Sequence, residues 1–532
     1  MSVISGVASV ALLAMVNQAS GRMGAQLQHP SLSSLILYCI AFFVFFVADR
    51  YALSRSATLM EDLLKRRRLR VVDRLRRADL SVIERIDRGE LYTKVSQEPN
   101  QISQTFQYIV NAMQQVVMLV FCLTYIAWVS LAAFIVIMGA AAVLVSVYQR
   151  LRRRLDPAMG EVMMSEAEVV HNLDDVIDGF KEIRINSRKN DGLFQNLESV
   201  SEMSRKQKVS VAEISVIVMT YGNLFLYALL GAVVFVLPHY VAGFSGTVTK
   251  MTAVTLFAVG PLTYVVTVAP LMARANLCLQ NLSDLEERLG VIPDAHSLER
   301  AREYGQRFSE FCSIDFAGIS YTYHEENGMP SFSLGPLDVS IKRGEVIFLV
   351  GGNGSGKSTL LRLLTGLYAC DTGTVKIDGL LLEPETRGGQ RELYSCIFAD
   401  FHLFDRLYGM SDVEVPRVTD ILKKMQLDRK VTFQDGRFST LNLSTGQRKR
   451  LALVEALLED KPIHVFDEWA ADQDVHFRRI FYEEILSELK AAGKTIIAAT
   501  HDDRYWHLAD RLIRLDAGLL VDEVSGEKGT VQ

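Results

Sequence analysis

The stretch from Val346 to Thr359 reads VIFLVGGNGSGKST and carries the residue types that hold phosphate. Gly351, four intervening residues, Gly356, Lys357 and Ser358 match the phosphate-binding loop pattern GxxxxGK(S/T) position for position. The apolar run Val346 to Val350 predicts a buried strand that delivers the chain into a tight turn. Gly351, Gly352, Gly354 and Gly356 permit positive φ and close backbone approach, so the amides of a loop that also contains Asn353 and Ser355 point at phosphate oxygens. The helix expected to start near Gly356, with Thr359 in its first turn, aims its positive end at the same anion. Lys357 reaches the β- and γ-phosphates, and the Ser358 hydroxyl is offered to Mg²⁺. A glycine turn before an ordinary helix is the competing account. Strand, loop and helix (LLRLLTGL) occur together, which argues against it. The chain is therefore expected to bind a nucleoside triphosphate.

Other reactive residues follow in an order that suits such a site. PIHVFDE ends an apolar run on two acids, Asp467 and Glu468, about 110 residues after the loop. Asp467 is expected in the Mg²⁺ shell, through water, and Glu468 is placed to polarise the attacking water. TIIAATH ends on His501, which in isolation would read as a core histidine and here joins the candidate site. His464 lies inside an apolar strand and is expected to be core. LSTGQ (Leu443 to Gln447) runs into the basic helix RKRLALVEALL, and AADQD occupies Ala470 to Asp474. IFADFHLF covers Ile397 to Phe404, and FCSIDFAGISYTY alternates like an edge strand.

These residues occupy only the second part of the chain. Its 532 residues suggest two to four domains, and a net charge of −5 is too mild to imply a nucleic-acid partner. The six cysteines are scattered without a CxxC, so neither a disulfide framework nor a metal site is indicated. Before about residue 280 the sequence carries long apolar runs; after about 310 it reads as a soluble α/β domain. Val3 to Val16 would span only about 21 Å as a helix, against roughly 30 Å of hydrocarbon. It lacks the basic n-region of a signal peptide and is read as a short first membrane helix. Leu32 to Ala48 is a clearer span. Residues 108–129 and 131–148 make a third and fourth, turning near Ser130, and residues 214–236 and 251–272 a fifth and sixth.

Lys and Arg set the orientation. There are 13 between Arg50 and Lys94 and 11 between Arg150 and Lys208, against one each in segments 17–31 and 237–250. The positive-inside bias places both long loops and both chain ends in the cytoplasm. The basic run Lys65-Arg66-Arg67-Arg68 is interleaved with Glu61, Asp62 and Asp73, as on a solvated helix face. Both loops are periodic in Leu, Val and Ile, so the membrane helices are expected to continue far beyond the bilayer and return. Their turns are expected at Asp87 to Glu90 and Asp175 to Glu182, natural places to touch a cytosolic motor. Pro261 and Pro270 in the last span fit a gating kink or a tolerated bend. Asn223 in the fifth fits a substrate cavity or an interhelical hydrogen bond.

The order of these signals resembles the ATP-binding cassette, and LSTGQ is similar to that family's signature sequence. Six spans followed by one cassette look like a half-size ABC exporter. The resemblance implies a six-helix transmembrane domain followed by an α/β phosphate-loop nucleotide-binding domain. It implies ATP and Mg²⁺ as cofactors, and a dimer that sandwiches two ATP molecules, each between the loop of one copy and the LSTGQ of the other. Tyr323, 28 residues before Gly351, would stack on adenine. Glu468 would be the catalytic base, and His501 would contact the γ-phosphate. Ser444, Gly446 and Gln447 of the signature would close the partner's site, and Asp474 would communicate between sites. Where most cassettes place a coupling glutamine this chain has Ala399, followed by Asp400. Either Asp400 substitutes or Mg²⁺ keeps an extra water.

Local wording narrows the resemblance. LVGGNGSGKSTLLRLLTGLY, FADFHLFDRL, LSTGQRKRLAL, DEWAADQD and THDDRY look like bacterial exporters of cyclic and siderophore peptides of the pyoverdine and syringomycin type. The expected organisation is a membrane domain with cytoplasmic helical extensions (1–280), a linker (281–308), a cassette (309–525) and a flexible tail (526–532). The expected function is ATP-driven export of a nonribosomal peptide across the bacterial inner membrane by a homodimer embedded in membrane lipid, with the cassette in the cytoplasm and no nucleic-acid partner. The alternatives are a lipid or lipopeptide flippase and a non-transporting ABC regulator.

Overall fold

A computed structural model describes residues 2–24, 32–86, 88–236, 248–290, 297–324, 329–383 and 387–525. The tail 526–532 and most of segments 17–31 and 237–250 lie outside the described side chains. The chain divides into two compact units, one of residues 1–74 and 87–288 and one of residues 75–86 and 289–532.

The first unit is built of long helices: Ser2–Gly24, Leu32–Leu75, Glu98–Val129, Leu131–Asp178, Ser187–Gly231 and Val248–Arg288. At 44 residues, Leu32–Leu75 is about 66 Å long, roughly twice the hydrocarbon thickness. Leu35, Phe42, Phe43 and Phe46 point outward along its apolar part. A surface of that kind is stable in lipid rather than in water. Among the described residues four helices are long and apolar enough to cross a membrane, against the six spans expected. The first helix runs 23 residues, but its apolar stretch is the shorter Ile4–Val16.

Small residues let these helices approach. Ala48, Ala52, Ala112, Ala133 and Ala275 are buried, and a Cβ added to Gly6 would lie 2.7 Å from Val117 Cγ1. Asp49 accepts hydrogen bonds from Gln114 (2.8 Å) and Ser5 (3.3 Å), tying three helices. Ser130 breaks the chain between its two helices in an extended conformation, and its side chain accepts from the Ala133 amide. Pro261 and Pro270 lie inside one helix, and Asn223 is exposed.

The first turn between the long helices falls earlier than expected. The helix ends at Leu75, Asp79 is extended, and a short helix follows over Leu80–Ile83. Of the turn expected at Asp87 to Glu90, the described residues Arg88 to Glu90 lie instead in a short helix, Arg88–Tyr92. A glycine in a helix costs only about 1 kcal/mol, so Gly89 does not stop it. Burial of Leu80 against the second unit's core favours the earlier break. The second turn is where the sequence placed it: Gly179 caps the Leu131–Asp178 helix, and Phe180–Ile185 forms a short helix.

The second unit holds strands β1 (Ser313–His324), β2 (Pro330–Lys342), β3 (Val346–Val350), β4 (Thr372–Ile377), β5 (Leu380–Leu381), β6 (Tyr394–Ile397), β7 (Phe433–Gln434), β8 (Arg437–Phe438), β9 (Ile463–Asp467), β10 (Thr495–Ala499), β11 (Arg511–Asp516) and β12 (Leu519–Ser525). One sheet runs β12-β11-β3-β10-β9-β6, parallel except for β12, and a second runs β2-β1-β4-β5. Every residue of β3, β9 and β10 is buried, which is why those sequences are continuous apolar runs. β1 is not an edge strand: it pairs with β2 on one side and β4 on the other. Its alternation reports one buried sheet face, not an open edge. Trp469 stacks on Phe481 at 4.3 Å in the core beneath β9, next to Phe466. His464 is buried as expected; burial pushes its pKa down to about 4, so it packs neutral.

Candidate nucleotide site

The parallel register brings the chemistry together. Ala499 of β10 lies level with Asp467 of β9 and with Leu349 of β3, so the carboxyl ends of three strands open at one edge. Above them is a cavity of about 580 Å³ lined by Tyr323, Phe332, Glu468 and the loop from Asn353 to Thr359. Gly351 has φ 154°, and a Cβ there would sit 2.3 Å from the Leu515 carbonyl oxygen. Gly356 has φ 102°, and its Cβ would meet Leu334 at 2.7 Å. Only glycine fits both positions. The Lys357–Leu364 helix starts directly after Gly356.

Lys357 is buried and donates from Nζ to the carbonyls of Gly351 (3.1 Å) and Gly352 (3.0 Å). Its Nζ lies 3.9 Å from Glu468 Oε1. Burial lowers its pKa, while Glu468 and Asp467 oppose that shift. Asp467 is buried with Oδ1 lacking any hydrogen-bond partner. Burial raises its pKa, and hydrogen bonds from the Ser358 side chain and the Ala399 backbone pull the other way. An orphaned buried carboxylate oxygen beside a serine hydroxyl is a donor set that suits a hard cation, and the glycine-lined loop suits a phosphate. The residues therefore fit a magnesium nucleotide.

Glu468 follows β9 in a left-handed conformation (φ 49°, ψ 34°), which turns its side chain out of the strand and into the cavity wall. His501 Nε2 lies 2.9 Å from Glu468 Oε1. His501 itself lines a neighbouring cavity of about 340 Å³ together with Gly351 and Gly352.

Ser444, Gly446, Gln447 and Asp474 do not line the 580 Å³ cavity of their own chain. Ser444 caps the Thr445–Glu459 helix, and with Gln447 it forms a reciprocal capping box. A Cβ on Gly446 would lie 2.8 Å from the Asp472 carbonyl, so a larger residue would separate the two segments. Asp474 caps Val475–Arg479 by accepting from the Phe477 amide at 2.8 Å. That bond, with Arg450 at 3.0 Å, holds its carboxyl below the usual range. Asp400 is exposed and pairs with Arg362 at 3.6 Å.

Lys449 was not singled out in the sequence. It is buried, donating to the Glu468 carbonyl at 2.8 Å and pairing with Asp472 at 2.7 Å, while Trp469 Nε1 donates to its carbonyl at 2.9 Å. The signal was present: Lys449 shares a helical stripe with the buried Ala452, Leu453 and Ala456. Lys449→Met should lower stability by about 2 kcal/mol, since it leaves the Glu468 carbonyl and Asp472 unpaired. Thermal unfolding beside ATP turnover checks this, with both expected to fall.

Further along that helix, burial and then Glu459 push the Glu455 pKa up to about 7. A carboxyl raised from 4.5 stabilises the fold fully below the unfolded value and loses that contribution as pH rises through about 7. Glu455→Gln should therefore stabilise the protein at pH 8 by about 1–2 kcal/mol and change little at pH 4. Melting temperatures across that range test it.

Residues 334–471 match the family described as ABC transporter, and residues 1–262 match the ABC transporter transmembrane region. The chain is 33% identical to ATP-binding protein SyrD of Pseudomonas syringae pv. syringae over 422 residues, covering 76% of this chain and 72% of that protein. It is 24% identical to an ATP-dependent lipid A-core flippase of a Polaromonas strain over 416 residues, 75% of this chain and 67% of the relative. Its fold resembles a solved bacterial Atm1-family ABC exporter with ATP bound, at TM-score 0.81 and 18% identity, covering 99% of this chain and 94% of that one.

Proposed function

The chain belongs to the ABC transporter family, a multi-pass membrane protein whose ATP hydrolysis is coupled to transport, and from that premise we propose that it exports a cyclic or siderophore-type nonribosomal peptide across the bacterial inner membrane as a homodimer with six spans. The observation that carries this reading is the 33% identity to SyrD over 422 residues. That length exceeds the cassette, so the similarity reaches into the helices that must meet the substrate. DEWAADQD, FADFHLF and LSTGQRKRLAL support the same subgroup.

In this reading the loop from Gly351 to Thr359 holds the ATP phosphates, and Tyr323 stacks on the adenine. Lys357 bonds the β- and γ-phosphates, and Ser358 and Asp467 hold Mg²⁺. When bound, Mg²⁺ neutralises charge developing on the phosphates. Glu468 accepts a proton from the attacking water. His501, 2.9 Å away, fixes the orientation of that carboxylate and contacts the γ-phosphate. Ser444, Gly446 and Gln447 complete the site of a second copy, and Asp474 links the two. Substrate must bind differently to the inward- and outward-open states for hydrolysis to move it.

Inside-out membrane vesicles containing the protein test the reading. They should accumulate a peptide from the organism's secreted peptide fraction when given ATP, and not when they carry Glu468→Gln. The similarity to the lipid A-core flippase favours a second reading. ATP-driven movement of a fluorescent phospholipid, without peptide uptake, would select it.

A further inference from the structure

A chain of side-chain hydrogen bonds leaves the cavity wall and ends on a residue far upstream. Tyr323, an aromatic wall of the cavity, donates its hydroxyl to the Tyr368 oxygen at 3.1 Å. Tyr368 is fully buried, accepts from Arg362 Nη1 at 2.9 Å and donates to the Glu84 carboxylate. Arg362 is on the helix that follows the phosphate loop, and it also lies 3.5 Å from Glu84 Oε1. Its guanidinium sits 5.5 Å above the Tyr368 ring, which also stacks on Tyr321 at 4.5 Å and 16° and meets the Tyr323 ring edge-on at 5.9 Å. Tyr368 is thus clamped by ring contacts and hydrogen bonds, with little freedom to absorb a shift of Tyr323.

Glu84 belongs to the 75–86 segment, which packs within the second unit although it joins two long helices of the first. The segment is held there by Leu80, by an Asp79–Arg391 pair at 3.3 Å and by Glu84. Of these, Glu84 is the one that hydrogen bonds among the described residues link, through Tyr368, to Tyr323 in the cavity wall.

We infer that Arg362 and Tyr368 are positioning residues that couple occupation of the cavity to the 75–86 segment through Glu84. This rests on the reading of the cavity as the ATP site of a transporter. A nucleotide that orders Tyr323 favours one placement of the Tyr368 hydroxyl, and with it one placement of Glu84. Coupling between sites is reciprocal, so a change at Glu84, which does not line the cavity, must alter ATP affinity by the same factor. A cluster that serves only folding would lower the melting temperature and leave that affinity alone.

The test is a double-mutant cycle on the full chain in phosphatidylethanolamine–phosphatidylglycerol nanodiscs, reading the ATP dissociation constant by equilibrium binding. Glu84→Gln and Tyr368→Phe should each change that constant by about 3- to 10-fold, and the double variant by no more than the larger single effect. Asp79→Asn, which breaks a docking pair outside the relay, should stay within about 2-fold. Single variants indistinguishable from wild type, or effects that multiply in the double, would overturn the relay. Glu84→Gln is a partly exposed substitution and keeps the test valid if Tyr368→Phe destabilises the fold. Binding does not require turnover, so wild-type protein that binds ATP without hydrolysing it would count against the transport reading and not against the relay.

Discussion

Glu468→Gln, purified in lipid, is expected to bind ATP with near-normal affinity and hydrolyse it about 10²- to 10⁴-fold more slowly. Glutamine keeps the size of the side chain, so the left-handed backbone at residue 468 and the Lys449 bond to its carbonyl survive. What is lost is the basic oxygen. The Glu468 carboxylate faces Lys357 at 3.9 Å and His501 at 2.9 Å, and it lines the same cavity as the phosphate loop. Turnover within a few-fold of wild type would remove Glu468 from the role of base. Single-turnover and steady-state rates, measured with ATP binding on the same preparation, separate loss of chemistry from loss of the site.

Lys357→Ala acts one step earlier. The ammonium is buried and donates to two loop carbonyls, so the loop itself fixes its position. Two charge-assisted bonds to phosphate, at about 1.5 kcal/mol each, correspond to roughly a 10²-fold loss of ATP affinity. Export should fail with it. Lys357→Arg is not expected to rescue, because a forked guanidinium does not fit between the Gly351 and Gly352 carbonyls. Equilibrium ATP binding reads the effect, and affinity unchanged from wild type would contradict the placement.

The contrast between these residues and Lys449 shows what a sequence exposes. The phosphate loop is legible because its geometry is local: strand, glycines and helix occupy adjacent positions, and a Cβ at Gly351 or Gly356 would collide with Leu515 or Leu334. Asp467, Glu468 and His501 are legible because parallel strands end at one edge. Lys449 stands between Arg448 and Arg450 at the head of a basic helix, and its register with Ala452 and Ala456 becomes telling only once a buried partner is known. Tyr368 and Glu84 lie 284 residues apart, a separation over which no periodicity speaks. The early turn at Asp79 was hidden for a related reason. Gly89 is the stronger local breaker, but burial of Leu80 against a distant core decides where the helix ends. β1 misled because alternation marks a half-buried face whether the strand lies at an edge or inside a sheet.

In the proposed function, ATP hydrolysis in this cassette drives a peptide out of the cell. Deletion of the gene, followed by mass spectrometry of secreted and intracellular peptides, puts that to the test. One peptide should disappear from the medium and accumulate inside, returning to the medium with the wild-type gene and not with Glu468→Gln. A secreted profile unchanged by the deletion, with the peptides confirmed as being made, would contradict the account.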